Sequence, residues 1–326
     1  MNARPLCDSG LFAMSADAGE RFQVRGQAET LLSLNLRASR SDPDALFNLA
    51  AMSWGGLGVP QDPRKGRELY RRAGEAGHKE ARHCTTNLLA NGVAGPRDWL
   101  KALERLEGEA RTDPRRRRML ELLGKMQLNA DGDPLALPEG EALSQSPHVT
   151  LFTRLLTAAE CEYLRDSAEP AYGPSIVNDS NGATTRDPIR TSDGSTLHWL
   201  IEDPVVHAIN RRLAAASGSA YDCGEATQIL RYRPGQQYRP HLDAREAANP
   251  RVLTALAYLN HDFKGGETLF VETKLKVKGR KGDVLVFRNT GPDGRPDPLS
   301  RHAGLPVTAG TKYLASRWIR AHRWIP

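Results

Sequence analysis

The spacing of hydrophobic and polar residues divides the chain into a helical part and a strand-rich part. Between residues 43 and 128, apolar side chains recur every three or four positions, as in amphipathic helices. After residue 149 the pattern predicts two further helices and eight short runs of β-branched, aromatic and aliphatic residues interrupted by Gly and Pro. Eight antiparallel strands fit the two sheets of a jelly roll. The predicted fold class is α+β: helical hairpins, then a double-stranded β-helix (jelly roll) with flanking helices.

The helical part repeats itself. A shift of 36 positions pairs identical residues: Ala45 with Ala81, Gly56 with Gly92, Pro60 with Pro96, Asp62 with Asp98, Lys65 with Lys101 and Glu68 with Glu104. Each copy predicts a helix, a Gly-containing turn, an Asp cap and a second helix. A fixed period of this length indicates helical hairpins that bury their apolar faces by stacking on one another.

Two motifs of the first copy, GLGVPQD and AGEAGH, resemble the Sel-one-like class of tetratricopeptide-related repeats. The resemblance covers residues 43–128 and is weaker in the second copy. Such arrays present a surface for protein contact, so the repeats are expected to bind another protein. Alternatively, the short array only caps or supports the strand-rich domain, and the sequence leaves both alternatives open.

Composition shifts along the chain predict four regions. Residues 1–40 form a polar lead-in with one short helical stretch, and residues 41–128 form the helical-repeat domain. Residues 129–148 are rich in Pro, Gly and Asp and are predicted to be a linker. Residues 149–326 form the strand-rich domain.

Charge and cysteine content restrict the partners and the compartment. The formal charge of +6 is partly local, because the run RTDPRRRR alone holds five Arg, and a solvated turn between helices explains it without a nucleic-acid partner. The four cysteines are scattered, which is typical of a reducing compartment. With no apolar leader and no run of 18 apolar residues, we expect a cytoplasmic protein without a membrane segment.

Four residues near the C-terminal end carry the candidate chemistry. His241 and Asp243 are separated by one residue, so their side chains share one face of a strand. With His302 they provide the two imidazoles and one carboxylate of a facial triad, which holds Fe(II) and leaves coordination positions open. Zn, Mn and Co also accept these ligands. However, a zinc hydrolase has no use for a buried Lys312, whereas that ammonium would neutralise the far carboxylate of 2-oxoglutarate.

At these residues the chain resembles the prolyl 4-hydroxylase branch of the Fe(II)/2-oxoglutarate dioxygenases. The similarity extends from about Val149 to Trp324 and follows six ordered motifs: IRTSDG, QILRYRPGQQYRPHLD, RVLTALAYLN, GGETLF, KGDVLVFRN and HAGLPVTAGTKYLASRWIR. Nucleic-acid demethylases of the same superfamily normally use Arg for the far carboxylate, so Lys312 argues against that class. The resemblance implies Fe(II), 2-oxoglutarate and O2 as cofactors, with ascorbate as reductant.

The resemblance also implies a role for each matching residue. His241, Asp243 and His302 would bind iron. The co-substrate would be held by Lys312, Thr268, Tyr232 and, with a weaker match, Tyr258. The substrate proline would meet Tyr238, Arg251 and Trp318, and residues 171–194 would fold over the peptide. On pattern alone, the aromatic residues could be ordinary core residues, Thr268 an ordinary strand residue and Arg251 a surface charge.

The sequence therefore predicts a 2-oxoglutarate-dependent dioxygenase that hydroxylates an unactivated C–H bond of a prolyl residue in a peptide or protein. One alternative is hydroxylation of a free amino acid or small metabolite by the same residues. Another is an interaction scaffold whose jelly roll turns over weakly or not at all, although the complete triad argues against it. The sequence does not indicate which prolyl residue is the target or what the oligomeric state is.

Overall fold

The computed structural model describes residues 16–17, 21–24, 27–178, 184–186 and 189–325, with side chains described for 30–175 and 189–325. Its contacts divide the chain into two units. The helical unit contains Met1–Lys125, His198–His207 and the terminal residue, and the β unit contains Met126–Leu197 and Ala208–Ile325. None of the described helices combines the length and apolar character that a membrane span needs.

The helical unit follows the predicted repeat. Its described strands and α-helices are β1 (Ala16–Asp17), β2 (Arg21–Val24), β3 (Gln27–Thr30), α1 (Leu31–Ser39), α2 (Pro43–Gly55), α3 (Pro63–Glu75), α4 (Lys79–Asn91), α5 (Trp99–Ala110) and α6 (Pro114–Leu123). Repeat-related Asp62 and Asp98 cap α3 and α5, each accepting the backbone N–H three residues on at 3.0 and 2.9 Å. Gly56 and Gly92 end α2 and α4 in the left-handed region, which favours glycine. The period therefore reflects equivalent caps in two hairpins.

The β unit contains the remaining strands and two helices. They are β4 (Gly140–Gln145), β5 (His148–Phe152), α7 (Ala158–Ala168), β6 (Gly173–Pro174), β7 (Ile176–Asn178), β8 (Thr184–Arg186), β9 (Asp193–Leu197), α8 (Pro204–Ala216), β10 (Thr227–Tyr232), β11 (Tyr238–His241), β12 (Arg251–Tyr258), β13 (Lys264–Gly265), β14 (Thr268–Phe270), β15 (Lys276–Val277), β16 (Val284–Arg288), β17 (His302–Gly304), β18 (Val307–Ala309) and β19 (Lys312–Arg320). Helix α8 begins in the helical unit and ends in the β unit.

Two antiparallel sheets enclose the core of the β unit. The major sheet has the order β4-β5-β16-β12-β19-β10-β9-β6, and the minor sheet has the order β11-β17-β14-β15. Buried side chains from both sheets form one cluster, in which Phe270 of β14 meets Phe287 of β16 edge to face at 5.2 Å. This face-to-face packing is the predicted jelly roll, and the α+β class is confirmed.

Two boundaries differ from those predicted. Residues 129–148 are not irregular throughout, because β4 lies within them and pairs with β5. As an edge strand with mostly half-exposed or exposed residues, β4 lacks the apolar alternation of an inner strand. Residues 198–207 belong to the helical unit, where Asn87 and Asn91 donate amide hydrogen bonds to the carbonyls of Leu200 and Trp199 at 2.8 Å. Local periodicity does not reveal such a distant packing partner.

Parts of two predictions fall outside the described residues. Half of the lead-in, including residues 1–15, is one of them, although its predicted helical stretch is present as α1. The other is the segment expected to fold over the peptide, of which residues 179–183 and 187–188 are not described. The strands β7 and β8 flank the first of these gaps and pair with each other.

Candidate active site

The predicted metal ligands meet at one edge of the minor sheet. His241 ends β11 and His302 begins β17, and the two residues are direct cross-strand partners. Asp243 follows β11 and lies beside them. Its Oδ1 is 3.4 Å from Nε2 of His241, and its Oδ2 is 3.7 Å from Nε2 of His302. One donor atom from each residue lies within 4.8 Å of the other two, and no other such group of His, Cys, Asp or Glu is found among the described residues.

Hydrogen bonds to the backbone orient both imidazoles. Nδ1 of His241 lies 2.8 Å from the carbonyl of Arg239, and Nδ1 of His302 lies 3.0 Å from that of Ser300. Each Nδ1 therefore carries the hydrogen, which leaves each Nε2 lone pair facing Asp243. Nε2 of His241 is buried and has no hydrogen-bond partner among the described atoms. A buried acceptor without a described hydrogen-bond partner fits a metal ligand.

A second layer of side chains holds the carboxylate. Thr254 of β12 donates its hydroxyl to Oδ2 of Asp243 at 2.6 Å, and the amide of Asn289 donates to the Thr254 hydroxyl at 2.8 Å. All three side chains are buried. Sequence reasoning did not identify Thr254 or Asn289, although both lie in the motifs RVLTALAYLN and KGDVLVFRN. Such partners orient metal ligands and tune their basicity.

The charges of the triad suit a divalent cation. Burial alone would raise the pKa of Asp243, but His302, His241 and the Thr254 hydroxyl hold it well below its usual range. Burial lowers the pKa of His302 to about 4, although Asp243 partly opposes this effect. Near neutral pH the site thus offers an ionised carboxylate beside a neutral imidazole. These residues fit Fe(II), and they equally fit other divalent transition metals.

Lys312 lies in the same cavity as the triad. It begins β19 directly opposite Tyr232 of β10, and it is 2% exposed. Its ammonium donates to the carbonyl of Gly266 at 2.6 Å and lies 5.6 Å from the Tyr232 ring centre. Burial lowers the pKa of Lys312 to about 7, with Glu267 acting in the opposite direction. Lys312 has no ion-pair partner among the described residues, and a buried cation of this kind is suited to an anionic ligand.

The other predicted co-substrate residues are arranged around this lysine. Tyr232 and Thr268 line the cavity together with Lys312 and the triad. Tyr258 does not line it, but its hydroxyl is 3.1 Å from that of Thr268. Burial raises the pKa of Tyr258 to about 12, so its phenol stays protonated and can orient the Thr268 hydroxyl.

The predicted substrate contacts separate into two groups. Tyr238 and Trp318 line the cavity, and the Tyr238 ring stacks on His241 at a centroid distance of 3.5 Å. The indole N–H of Trp318 is buried and has no described hydrogen-bond partner. Arg251 does not line the cavity. Its guanidinium stacks 3.8 Å from the Trp318 ring centre and makes two hydrogen bonds to Glu225, at 2.7 and 2.8 Å.

Comparisons with known proteins agree with this geometry. The model of the 2OG-Fe(II) oxygenase superfamily matches residues 227–320, and the Sel1 repeat model matches residues 43–78. Prolyl 4-hydroxylase 1 of Arabidopsis thaliana is 36% identical over 201 residues, which cover 55% of this chain and 71% of that protein. The probable prolyl 4-hydroxylase 6 of the same plant is 36% identical over 203 residues, covering 54% of this chain and 70% of its own.

Among solved structures, the viral collagen prolyl hydroxylase of Paramecium Bursaria Chlorella virus-1, in complex with 2OG, is 28% identical. That match covers 53% of this chain and 96% of the viral chain, with a TM-score of 0.44. The two plant sequences, each matched over more than two thirds of its length, identify the family. This chain belongs to the prolyl 4-hydroxylase family of 2-oxoglutarate- and Fe(II)-dependent dioxygenases.

Proposed function

We propose that this protein hydroxylates a prolyl residue in a peptide or protein, using Fe(II), 2-oxoglutarate and O2. The observation that carries the proposal is the convergence of His241, Asp243 and His302 with the buried Lys312 around one cavity. Relatives named as prolyl 4-hydroxylases support the choice of substrate. When bound, Fe(II) with 2-oxoglutarate and O2 supplies the oxidising power to hydroxylate an unactivated C–H bond.

The triad would hold the metal through two imidazole nitrogens and one carboxylate oxygen. The backbone carbonyls behind His241 and His302 keep both Nε2 atoms unprotonated, and Thr254 fixes the orientation of Asp243. Because these contacts exist before a ligand arrives, little reorganisation is needed on binding. Preorganisation of this kind is what a metal site requires from the surrounding protein.

Lys312 would bind the far carboxylate of 2-oxoglutarate. In the buried cavity a charge-assisted hydrogen bond is stronger than in water, and the hydroxyl of Thr268 can add a second one. Tyr258 would act through Thr268, and Tyr232 would line the same end of the cavity.

The substrate proline would lie against Tyr238 and Trp318. Two aromatic rings form an apolar surface suited to a pyrrolidine ring, and the indole N–H of Trp318 can donate to a peptide carbonyl. The proposed contact of Arg251 with the peptide would use a guanidinium that is already bound to Glu225. Its ion pair and stacking support a second task for Arg251, which is to fix the Trp318 ring.

The small number of charged side chains in the cavity favours a prolyl residue within a peptide chain over a free amino acid as the substrate. A free amino acid would bring an ammonium and a carboxylate that need charged partners. Apart from Lys312 and the triad, no acidic or basic side chain lines the described cavity. A scaffold without turnover would not need the hydrogen bonds that support the ligands. Both alternatives therefore rank below prolyl hydroxylation.

The proposal also includes the reductant, the cellular compartment and the role of the helical repeats. Ascorbate would serve as the reductant that restores Fe(II) after uncoupled turnover. The protein would act in the cytoplasm, which is supported by Cys161 and Cys223, since neither forms a disulfide among the described residues. The Sel1 repeats would dock a protein substrate.

Mass spectrometry of matched peptides tests the proposal. Each prolyl peptide is incubated with enzyme, Fe(II), 2-oxoglutarate, ascorbate and O2 beside a copy with Ala in place of Pro, and free L-proline is assayed in parallel. We expect the gain of one oxygen atom on the prolyl residue, together with an equal amount of succinate. Oxidation of free L-proline alone would favour the metabolite alternative, and absence of any succinate would favour the scaffold.

A further inference from the structure

A basic groove lies on the helical repeats, formed by α3, α4 and α5. Its volume is about 420 Å³, and its apolar lining residues include Leu88, Leu89, Ala94 and Pro96. Five cationic side chains line it, and only two carboxylates do. The cations are Arg64, Arg67, Arg71, Lys101 and Arg105, and the carboxylates are Glu68 and Glu75. The groove therefore carries an excess of positive charge.

The two carboxylates are already paired. Glu68 and Glu75 both bind the Arg71 guanidinium, one helical turn before and after it on α3. Lys101 pairs with Glu104 at 2.7 Å, but both side chains are more than half exposed, and exposed pairs exchange partners at little free-energy cost. Arg64 is exposed and has no ion-pair partner among the described residues. Several cations are thus available to an incoming anion.

Among these cations, Arg67 gives the strongest indication that the groove binds a carboxylate. Its guanidinium is half-buried and donates to the backbone carbonyls of Val93 at 2.8 Å and Pro96 at 2.6 Å. Within the described part of the chain it has no carboxylate partner. Burial lowers the pKa of the Arg67 guanidinium, and no neighbouring acid opposes the effect. A guanidinium removed from water in this way is stabilised by an added carboxylate, which its planar fork can bind through two hydrogen bonds.

The chemistry of the groove distinguishes a peptide from a nucleic acid. No aromatic side chain lines the described groove, so single-stranded bases would have no stacking surface. A lining that combines apolar side chains with cations suits an extended peptide, whose aliphatic groups can contact the apolar residues while its carboxylates meet the guanidinium groups.

We propose that the basic groove binds an acidic, extended segment of the protein substrate, rich in Asp or Glu. This inference rests on the proposed function, because it assigns the segment to the same polypeptide that carries the target prolyl residue. The repeats would then select substrates by charge, independently of the residues next to the proline.

Fluorescence anisotropy on the full chain tests binding separately from catalysis. The probe is a labelled peptide of alternating Glu and Ala without proline, with Gln and Lys versions as controls. We expect the Glu peptide alone to bind, and binding to weaken as salt rises, since exposed charges are screened over about 10 Å at 0.1 M ionic strength. Equal binding of the Gln peptide would overturn the proposal, as would stronger competition by a single-stranded oligonucleotide with the same number of charges.

Matched charge reversals locate the site. Arg64→Glu with Lys101→Glu is expected to weaken binding of the Glu peptide at least about tenfold, because two attractive contacts become repulsive. Lys65→Glu is the control for a single reversal, since Lys65 is exposed on the same helix but does not line the groove. It should change binding by less than about twofold, like any charge outside the contact. All three side chains are exposed, and the Gln variants of Arg64 and Lys101 repeat the test with a smaller charge change.

Kinetics then connect the groove to the substrate. A prolyl peptide joined to the Glu segment by a flexible linker should show a lower KM than the prolyl peptide alone, with kcat unchanged. The variant with both Arg64→Glu and Lys101→Glu should not show this decrease in KM, and it should hydroxylate the short prolyl peptide as the original protein does. No KM gain despite Glu-peptide binding would refute the assignment to substrate. No hydroxylation of either peptide, with binding intact, would refute the proposed function instead.

Discussion

If Lys312 binds 2-oxoglutarate as proposed, we expect that binding to depend on pH. Burial lowers its pKa to about 7 from 10.5, so at pH 8 most of the free protein holds a neutral amine there. A dianionic ligand whose far carboxylate meets this group favours the protonated form. Binding at pH 8 should therefore take up close to one proton, and the affinity should fall up to about tenfold, or about 1.4 kcal/mol, for each pH unit above 7.

Replacement of Lys312 by Met removes the charge while keeping a long, flexible side chain. Because Lys312 is 2% exposed, water replaces the lost contact poorly. Breaking one partner of a buried hydrogen-bonded charge pair costs about 2–5 kcal/mol, so affinity should fall by at least about thirtyfold near pH 7. The proton uptake and the steep pH dependence should disappear with the amine, while metal affinity should stay near that of the original protein.

Isothermal titration calorimetry under anaerobic conditions, with Mn(II) as an unreactive metal, measures both the affinity for 2-oxoglutarate and the number of protons taken up on binding. The heat of 2-oxoglutarate binding at pH 8 is compared between buffers with different ionisation enthalpies, and the difference gives the protons taken up. Equal heats in all buffers would refute a neutral Lys312 in the free site. Proton uptake that persists in Lys312→Met would assign the effect to another group.

Three further predictions concern the ligand support, the buried charge and the domain boundary. Thr254→Val removes the hydroxyl that binds Asp243, so metal affinity should fall about 10- to 100-fold in an anaerobic titration; unchanged affinity would contradict this role. The pKa of Lys312 is lower in the folded than in the unfolded protein, so stability should rise with pH between about 7 and 10.5, and Lys312→Met should stabilise the apo protein most below pH 7 in urea titrations. A fragment of residues 145–326 should be poorly soluble, because residues 198–207 lose their contacts with Asn87 and Asn91; a soluble, monomeric fragment would contradict this.

The grouping of His241, Asp243 and His302 around one point was partly predictable, because two of the three residues are close together in the sequence. His241 ends β11 and Asp243 lies only two positions further along the chain, and His302 is the third residue that a facial triad requires. The Asp caps and Gly turns of the repeat were predictable for the same reason, since a cap acts within one helical turn. The spacing of residues along the sequence is therefore enough to predict such short-range features.

Contacts between distant segments were not predictable in this way. The support of Asp243 by Thr254 and Asn289 depends on which strands are neighbours in the major sheet. The position of Arg251 on the face of Trp318 depends likewise on the pairing of β12 with β19 and on Glu225. Cross-strand neighbours are set by the topology, and a local pattern of hydrophobic residues fits several topologies equally well.

Tracing oxygen from isotopically heavy O2 tests the central claim most directly. The protein is incubated with a prolyl peptide, Fe(II), 2-oxoglutarate and heavy O2, and fragment mass spectra locate the label while succinate is quantified. We predict one heavy oxygen on the prolyl residue for each succinate formed, and neither product with Asp243→Ala, because two imidazoles alone hold the metal weakly. Unlabelled hydroxyproline, label on another residue, or full activity of Asp243→Ala would contradict a prolyl hydroxylase built on this triad.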